Sequence, residues 1–149
     1  MESITKKRLQ NYIFLKMEND NKLEHLARLR SREHFPEYKE SDGSKHQAGA
    51  SDRVANALIK RLEYQEKIAD RIEENQREMD LIEQAIDCLS DPMERTVLEL
   101  RYIDCEEGYR HRKWQEIAMI IYHDDDENQI RAVHRIHSRA LQNILNVDF

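Results

Sequence analysis

Residues 91–102, with the sequence DPMERTVLELRY, decide how the C-terminal part of the chain folds. Asp91 is a residue type that caps helices, and Pro92 suits the first helical position because it has no amide hydrogen to leave unpaired there. Two further segments with helical spacing follow. The first contains Trp114, Ile117, Ala118 and Ile121, and the second places Ile130, Val133, Ile136, Ala140, Leu141 and Ile144 on one face. The pattern predicts three helices within residues 90–149.

The composition favours helices throughout the chain. Only three Gly and two Pro occur in 149 residues, whereas the average usage of this pair is roughly 12%. All-β sandwiches and doubly wound α/β folds need many turns, so the scarcity of turn residues argues against both. Charged residues make up 36% of the chain, and the mean hydropathy is −0.91. We therefore expect an all-α protein with long, solvated helices around a thin core.

Residues 1–89 are predicted to form a long, coiled-coil-like helical hairpin. The first helix spans about residues 3–34, and the polar residues 18–21 are expected to kink or break it. A loop follows at about residues 35–51, and Ser51 or Asp52 then caps a helix over about residues 52–89. Residues on that helix alternate three and four apart, as in a heptad pattern: Leu58, Leu62, Gln65, Ala69, Ile72, Gln76, Met79, Glu83 and Ile86.

The heptad-spaced stripe of the second helix cannot be buried by that helix alone and needs a partner surface. The first helix folded back across the loop can supply it, or a second copy of the chain can, which would make a homo-oligomer. The sequence thus divides the protein into a hairpin at residues 1–89 and a separate module at residues 90–149. The hairpin by itself is typical of a spacer or dimerisation element without a catalytic or ligand-binding site.

The sequence gives no sign of a membrane or secreted protein. The longest apolar run, residues 117–122, has six residues, far fewer than the roughly 18 needed for a membrane span. The N-terminus lacks the apolar region of a signal peptide. Cys88 and Cys105 do not form a C-x-x-C pair, and reduced thiols are expected. These features favour a cytoplasmic location.

Three motifs resemble the helices of a known DNA-binding module. Residues 91–102 resemble the first helix of region 4 in sigma-70-type factors, and WQEIA at residues 114–118 resembles its second helix. VHRIHSRAL at residues 133–141 resembles the recognition helix. The whole chain, including QAGASDRV at residues 47–54, is similar to phage-encoded sigma-70 region 4-like regulators of the ArpU and RinA type.

The resemblance implies a helical hairpin followed by a three-helix helix-turn-helix module. It implies sequence-specific binding of double-stranded DNA and control of transcription, often of late phage genes, with host RNA polymerase as a partner. A protein of this type is encoded by a phage or prophage and acts in the cytoplasm of the bacterial host.

Carried over by position, the resemblance places the DNA-facing residues on the last helix. They are Ile130, Arg131, His134, Arg135 and Ser138. Helical spacing independently supports all of these except Ile130. The other four occupy positions i, i+3, i+4 and i+7, which share one face of a helix. Three cations before the middle helix, Arg110, Arg112 and Lys113, are candidates for phosphate contacts. The alternative for both groups is a solvated surface with no ligand.

The charge distribution confines any DNA surface to the C-terminal part. The chain has a net charge of −6, but residues 110–149 carry six Lys or Arg and six Asp or Glu. Four of those acids form the run 124–127 just before the last helix, where they would repel phosphates if they faced DNA. Asp126 is also a natural cap for that helix.

Neither catalysis nor a bound metal is predicted. The sequence contains no Gly-rich phosphate loop, no nucleophile elbow and no HExxH motif. The run Asp124-x-Asp126-x-Asn128 resembles the start of a calcium loop, but Gln129 and Arg135 stand where such a loop needs Gly and Glu. The His and Cys residues show no zinc-finger spacing. We expect a protein that is not an enzyme and needs no cofactor.

Two other functions fit the same sequence. A small terminase-like subunit for DNA packaging would bind DNA and form a ring. A protein-interaction module would use the acidic run for a partner and would not bind DNA.

Overall fold

The structure is a computed structural model that describes residues 2–34, 47–105 and 108–149. Five α-helices occur in this part of the chain: α1 (Lys6–His34), α2 (Gln47–Asp87), α3 (Pro92–Leu98), α4 (Trp114–Tyr122) and α5 (Glu127–Ile144). A π-helical segment, Glu99–Ile103, follows α3 directly. The described ranges contain no β-strand, so the predicted all-α class is confirmed.

The start of α2 corrects the predicted loop. Helix α2 begins at Gln47, so residues 47–51 are helical, and Ser51 and Asp52 lie inside the helix instead of capping it. Gln and Ala are strong helix formers, and a single Gly costs only about 1 kcal/mol. The rest of the predicted loop, residues 35–46, lies outside the described residues.

Contacts between residues divide the chain into two compact units. Unit 1 comprises Met1–Met17 and Gln76–Phe149, and unit 2 comprises Glu18–Asn75. The sequence-based division at residues 89 and 90 thus differs from the compact units, because both ends of the chain contribute to unit 1.

Unit 2 contains antiparallel segments of α1 and α2. The side chain of Asn75 donates a 2.9 Å hydrogen bond to Asn19, and the side chain of Asn19 donates to the backbone oxygen of Ile72. Both asparagines are buried. Glu18 accepts hydrogen bonds from Asn75 and Arg71, which lower its pKa. The predicted break at residues 18–21 is wrong, because α1 continues through them and Glu18 and Asn19 pair with α2.

The buried face of α2 coincides with the predicted stripe at Met79 and Ile86 and departs from it elsewhere. Ile68, Asn75, Met79, Ile82, Ala85 and Ile86 are buried. Leu58 and Leu62 are 37% and 48% exposed, and Gln65, Ala69 and Gln76 are exposed as well. The two stripes are neighbours on the helix surface and share Met79 and Ile86.

Unit 1 has two hydrophobic clusters. The first core contains Ile4, Leu9, Tyr12, Met79, Ile82, Ala85, Ile86, Leu89, Leu98, Tyr102, Ala140 and Ile144. The second core contains Val97, Ile117, Ala118, Val133 and Ile136. The N-terminal residues of α1 and the last turns of α2 therefore share a core with α3 and α5. Small segments bury little apolar surface alone, which is a physical reason for this shared packing.

Local signals set the ends of the short helices. Asp91 accepts a 2.8 Å hydrogen bond from the amide of Met93, and Pro92 occupies the first position of α3, as predicted. Asp126 accepts a hydrogen bond from the amide of Asn128 and caps α5, also as predicted. Helix α4 ends at Tyr122, and the capping residue His123 adopts a left-handed conformation with a φ of 57°.

The described helices contain no candidate membrane span. None of them combines the length and the apolar character that a bilayer requires.

The shared core predicts that the N-terminus stabilises unit 1. Leu9 is fully buried in the first core, whereas Phe14 on the same helix is 54% exposed. We expect Leu9→Ala to lower the free energy of unfolding by about 2–5 kcal/mol and Phe14→Ala to lower it by about 0.5 kcal/mol or less. Urea unfolding followed by circular dichroism measures both. Equal stabilities of the two variants would show that residues 1–17 do not belong to this core.

Candidate nucleic-acid interface

The candidate DNA-facing residues of α5 mostly lie on one exposed strip. Arg131, His134, Arg135 and Ser138 are exposed, whereas Ile130 is half-buried and packs against the second core. On the other side of α5, Val133, Ile136, His137, Ala140 and Ile144 are buried. The helical period of 3.6 residues separates the two sets. The structure thus brings four of the five residues together.

A groove runs beside this strip. It has a volume of about 700 Å³, and α5 supplies most of its lining. The lining residues are Tyr122, Ala132, His134, Arg135, Ile136, Ser138, Arg139 and Gln142. Arg139 and Gln142 extend the polar strip by one turn beyond the predicted residues. The sequence could have predicted the place of Arg139 in the strip, because Arg131, Arg135 and Arg139 recur every four residues.

The three arginines of α5 differ in their partners. Arg131 forms a 2.9 Å ion pair with Glu127, one turn earlier, and both side chains are largely exposed. Within the described part of the chain, Arg135 and Arg139 form no ion pair or hydrogen bond. Glu127 is the only acid in α5. The strip therefore offers two cationic side chains that are free to meet an anion.

The acidic run before α5 is exposed and has a local structural role. Asp126 caps α5, and Asp124 accepts a 3.1 Å hydrogen bond from the amide of Asp126. Asp125 is exposed. The run shapes the turn from α4 to α5, and it also places carboxylates next to the first turn of the arginine strip.

The predicted phosphate-contacting cations have unequal environments. Arg110 and Lys113 are exposed. Arg112 is half-buried, its guanidinium donates to the backbone oxygen of Asp104, and its own backbone oxygen accepts from Arg101. Arg110 and Lys113 are therefore available for a ligand, whereas Arg112 also holds the segment that leads into α4.

A cluster of aromatic and histidine side chains joins this segment to α5. Trp114 contacts the rings of His134 and His137 at centroid distances of 4.5 and 4.7 Å. The guanidinium of Arg101 lies 4.3 Å from the centre of the Trp114 ring. The aromatic ring contacts of Trp114 are thus the two histidines of α5. No spacing rule connects residue 114 to residues 134 and 137, so only the fold reveals this cluster.

His137 is the buried centre of that cluster. Its Nε2 atom shares a 2.7 Å hydrogen bond with the hydroxyl of Tyr102, and its side chain is almost fully buried. Burial, together with the nearby charges of Lys6 and Arg101, lowers the pKa of His137 to about 4. A neutral imidazole at pH 7 can accept the hydroxyl proton of Tyr102 in a hydrogen bond.

A second concave site lies between α2 and the π-helical segment. It has a volume of about 240 Å³ and is lined by Glu83, Ile86, Asp87, Glu99, Ile103 and Asp104. Burial raises the pKa of Glu99, and the charges of Asp87 and Asp104 add to this effect. Among the described residues, no group of three or more His, Cys, Asp or Glu has the geometry to hold a metal ion.

Comparisons with known proteins identified no relative. No protein-family model, no curated protein and no solved structure matches the chain. The resemblance to sigma-70 region 4 therefore stays a prediction from the motifs.

The buried His137 predicts a loss of stability in mild acid. Its pKa is about 4 in the folded state and about 6.5 in an unfolded chain, so the unfolded state binds the proton first as the pH falls. Well above pH 6.5, the neutral His137 makes its full contribution to the free energy of unfolding. Protonation of this histidine in the unfolded chain should lower that free energy by about 2 kcal/mol between pH 7.5 and pH 5. Urea unfolding at several pH values, compared with His137→Gln, isolates the effect. An identical pH dependence in both proteins would contradict it.

Proposed function

We propose that α3, α4 and α5 form a helix-turn-helix module that binds double-stranded DNA, with α5 as the recognition helix in the major groove. The observation that carries the proposal is the exposed strip of α5, where Arg131, Arg135 and Arg139 line up beside His134 and Ser138. Only one acid lies on this helix. Residues of this kind recognise base edges and phosphates.

The packing of α5 supports its proposed role as a recognition helix, because one side is anchored in the core and the other side is exposed. Val133 and Ile136 attach one side of it to the second core, which includes Ile117 and Ala118 of α4. Ala118 is fully buried, and such a small side chain allows two helices to approach closely. A major groove about 12 Å wide admits a helix, and recognition helices contact bases mainly with their N-terminal residues. Arg131, His134 and Arg135 lie in that half of α5.

The segment before α4 supplies candidate phosphate contacts. Arg110 and Lys113 are exposed, and the anchored side chain of Arg112 holds the segment beside the π-helical turn. Phosphate contacts position a protein on the duplex, whereas base contacts give the sequence preference. In this proposal, residues 110–113 contact phosphates and residues of α5 contact the bases.

We propose that this binding controls transcription, as in phage regulators that act with host RNA polymerase. A surface for a protein partner is available on α4, where Met119 and Ile120 are 44% and 45% exposed. These two residues also favour the second candidate function, an interaction module without DNA binding.

Arg135 provides the main test of DNA binding. We expect Arg135→Ala to weaken binding to a preferred duplex by about 1–3 kcal/mol if it contacts a base. If it contacts a phosphate, the salt slope should fall by about one unit. Fluorescence titration at several salt concentrations measures both quantities. Arg53 on α2 is an exposed helical arginine in unit 2, and Arg53→Ala is the matched control.

An unchanged affinity in Arg135→Ala would contradict the proposal. The same holds if Arg53→Ala weakens binding as much as Arg135→Ala, because the effect would then reflect overall charge. Failure of the unaltered protein to bind any duplex at low salt would favour the interaction module.

The acidic run should weaken DNA binding. Replacing Asp124 and Asp125 by Asn removes two negative charges, retains an oxygen acceptor at position 124 and leaves the Asp126 cap intact. At about 10 Å from a phosphate, each charge contributes about 0.4 kcal/mol of repulsion in water. We expect roughly fourfold tighter binding at low salt, and this gain should fade as salt increases. Tighter binding that persists at high salt, or no change, would contradict this role.

A further inference from the structure

The contact between Trp114 and His134 joins the first residue of α4 to the exposed strip of α5. The two ring centroids are 4.5 Å apart, and the rings are tilted by 45°. His134 also lines the groove with Arg135 and Ser138. Its imidazole therefore lies on the surface that the proposed function assigns to DNA, although one side of the ring rests against the indole.

The ring of Trp114 is itself held in place by other groups. The Arg101 guanidinium lies 4.3 Å from its centre, and the buried ring of His137 meets it nearly edge-on at 4.7 Å. His137 is fixed in turn by its hydrogen bond to Tyr102. An exposed histidine on a free helix face can occupy several rotamers. His134 instead rests on a ring that the fold fixes, and this contact restricts its rotamers.

We infer that His134 is a base-reading residue and that Trp114 is its positioning residue. The indole holds the imidazole so that one ring nitrogen meets a base edge in the major groove. A neutral imidazole offers one N–H donor and one acceptor, and base edges in the major groove present both complementary groups. The ligand is a duplex DNA site with one preferred base pair opposite His134. This inference rests on the proposed function.

Unit 2 provides a matched control for the stacking itself. His25 on α1 is also exposed, and its ring lies 4.5 Å from that of Tyr64 on α2, with a tilt of 50°. This pair is also a contact between a histidine and a larger aromatic ring, with nearly the same geometry, but it belongs to the other compact unit. His25→Ala therefore removes an equivalent contact without touching the α5 strip.

The experiment combines a selection with affinity measurements on the full chain. Duplexes that bind the unaltered protein are selected from a random pool, and affinities are then measured for the preferred duplex and for duplexes with single base pairs changed. We expect a discrimination of roughly tenfold at one base pair to disappear in His134→Ala and in Trp114→Leu. Trp114→Phe should retain most of it, and His25→Ala should retain all of it. Thermal melting reports whether each variant is folded.

Several outcomes would overturn the inference. If His134→Ala keeps full discrimination at every position, His134 does not read a base, although DNA binding stands. If both Trp114 variants lose affinity equally for all duplexes while His134→Ala loses only the preference, Trp114 has a structural role and does not position His134. If the unaltered protein binds no duplex, the inference and the proposed function both fail.

Discussion

The single buried face of α5 contributes to both cores of unit 1, and the other features of this unit depend on that packing. Ala140 and Ile144 lie in the first core, whereas Val133 and Ile136 lie in the second core. A rotation of α5 about its axis would withdraw both sets of side chains from apolar contact, at a cost of about 1.5–3 kcal/mol for each large one. The orientation of the exposed strip is therefore a consequence of core packing, and the strip needs no ligand to adopt it.

Polar contacts with at least one buried partner link α5 to α3 and to the π-helical segment. Glu94 is buried, and both of its carboxylate oxygens accept hydrogen bonds from the Asn143 side chain. The hydrogen bond between Tyr102 and His137 joins the π-helical segment to α5 in the same unit. An unpaired buried polar group costs about 1–3 kcal/mol, so a shift of one helix would be opposed by each pair that it separates. These pairs favour one arrangement of helices over others with similar apolar burial.

The positive charge of the α5 strip is a local feature of a chain whose net charge is negative. The net charge of −6 opposes general attraction to an anionic polymer, and the acidic run beside α5 adds to that opposition. The free guanidinium groups of Arg135 and Arg139 act within a few ångströms, whereas screening limits the opposing field to roughly 10 Å at ordinary salt. At the α5 strip, close contacts with an anion would therefore outweigh the field of distant acids.

The sequence by itself determined the features that depend on neighbouring residues. The Asp91 cap, the Asp126 cap and the exposed strip of α5 follow from local hydrogen bonding and the 3.6-residue period, and the structure has all three. Only the tertiary structure decided that Leu9 shares a core with the C-terminal helices and that Trp114 contacts His134. These contacts join residues that are far apart in the chain, and their choice depends on the combined shape of several helices. Helical periodicity defines a face, but only the partner that covers it determines which residues of that face become buried.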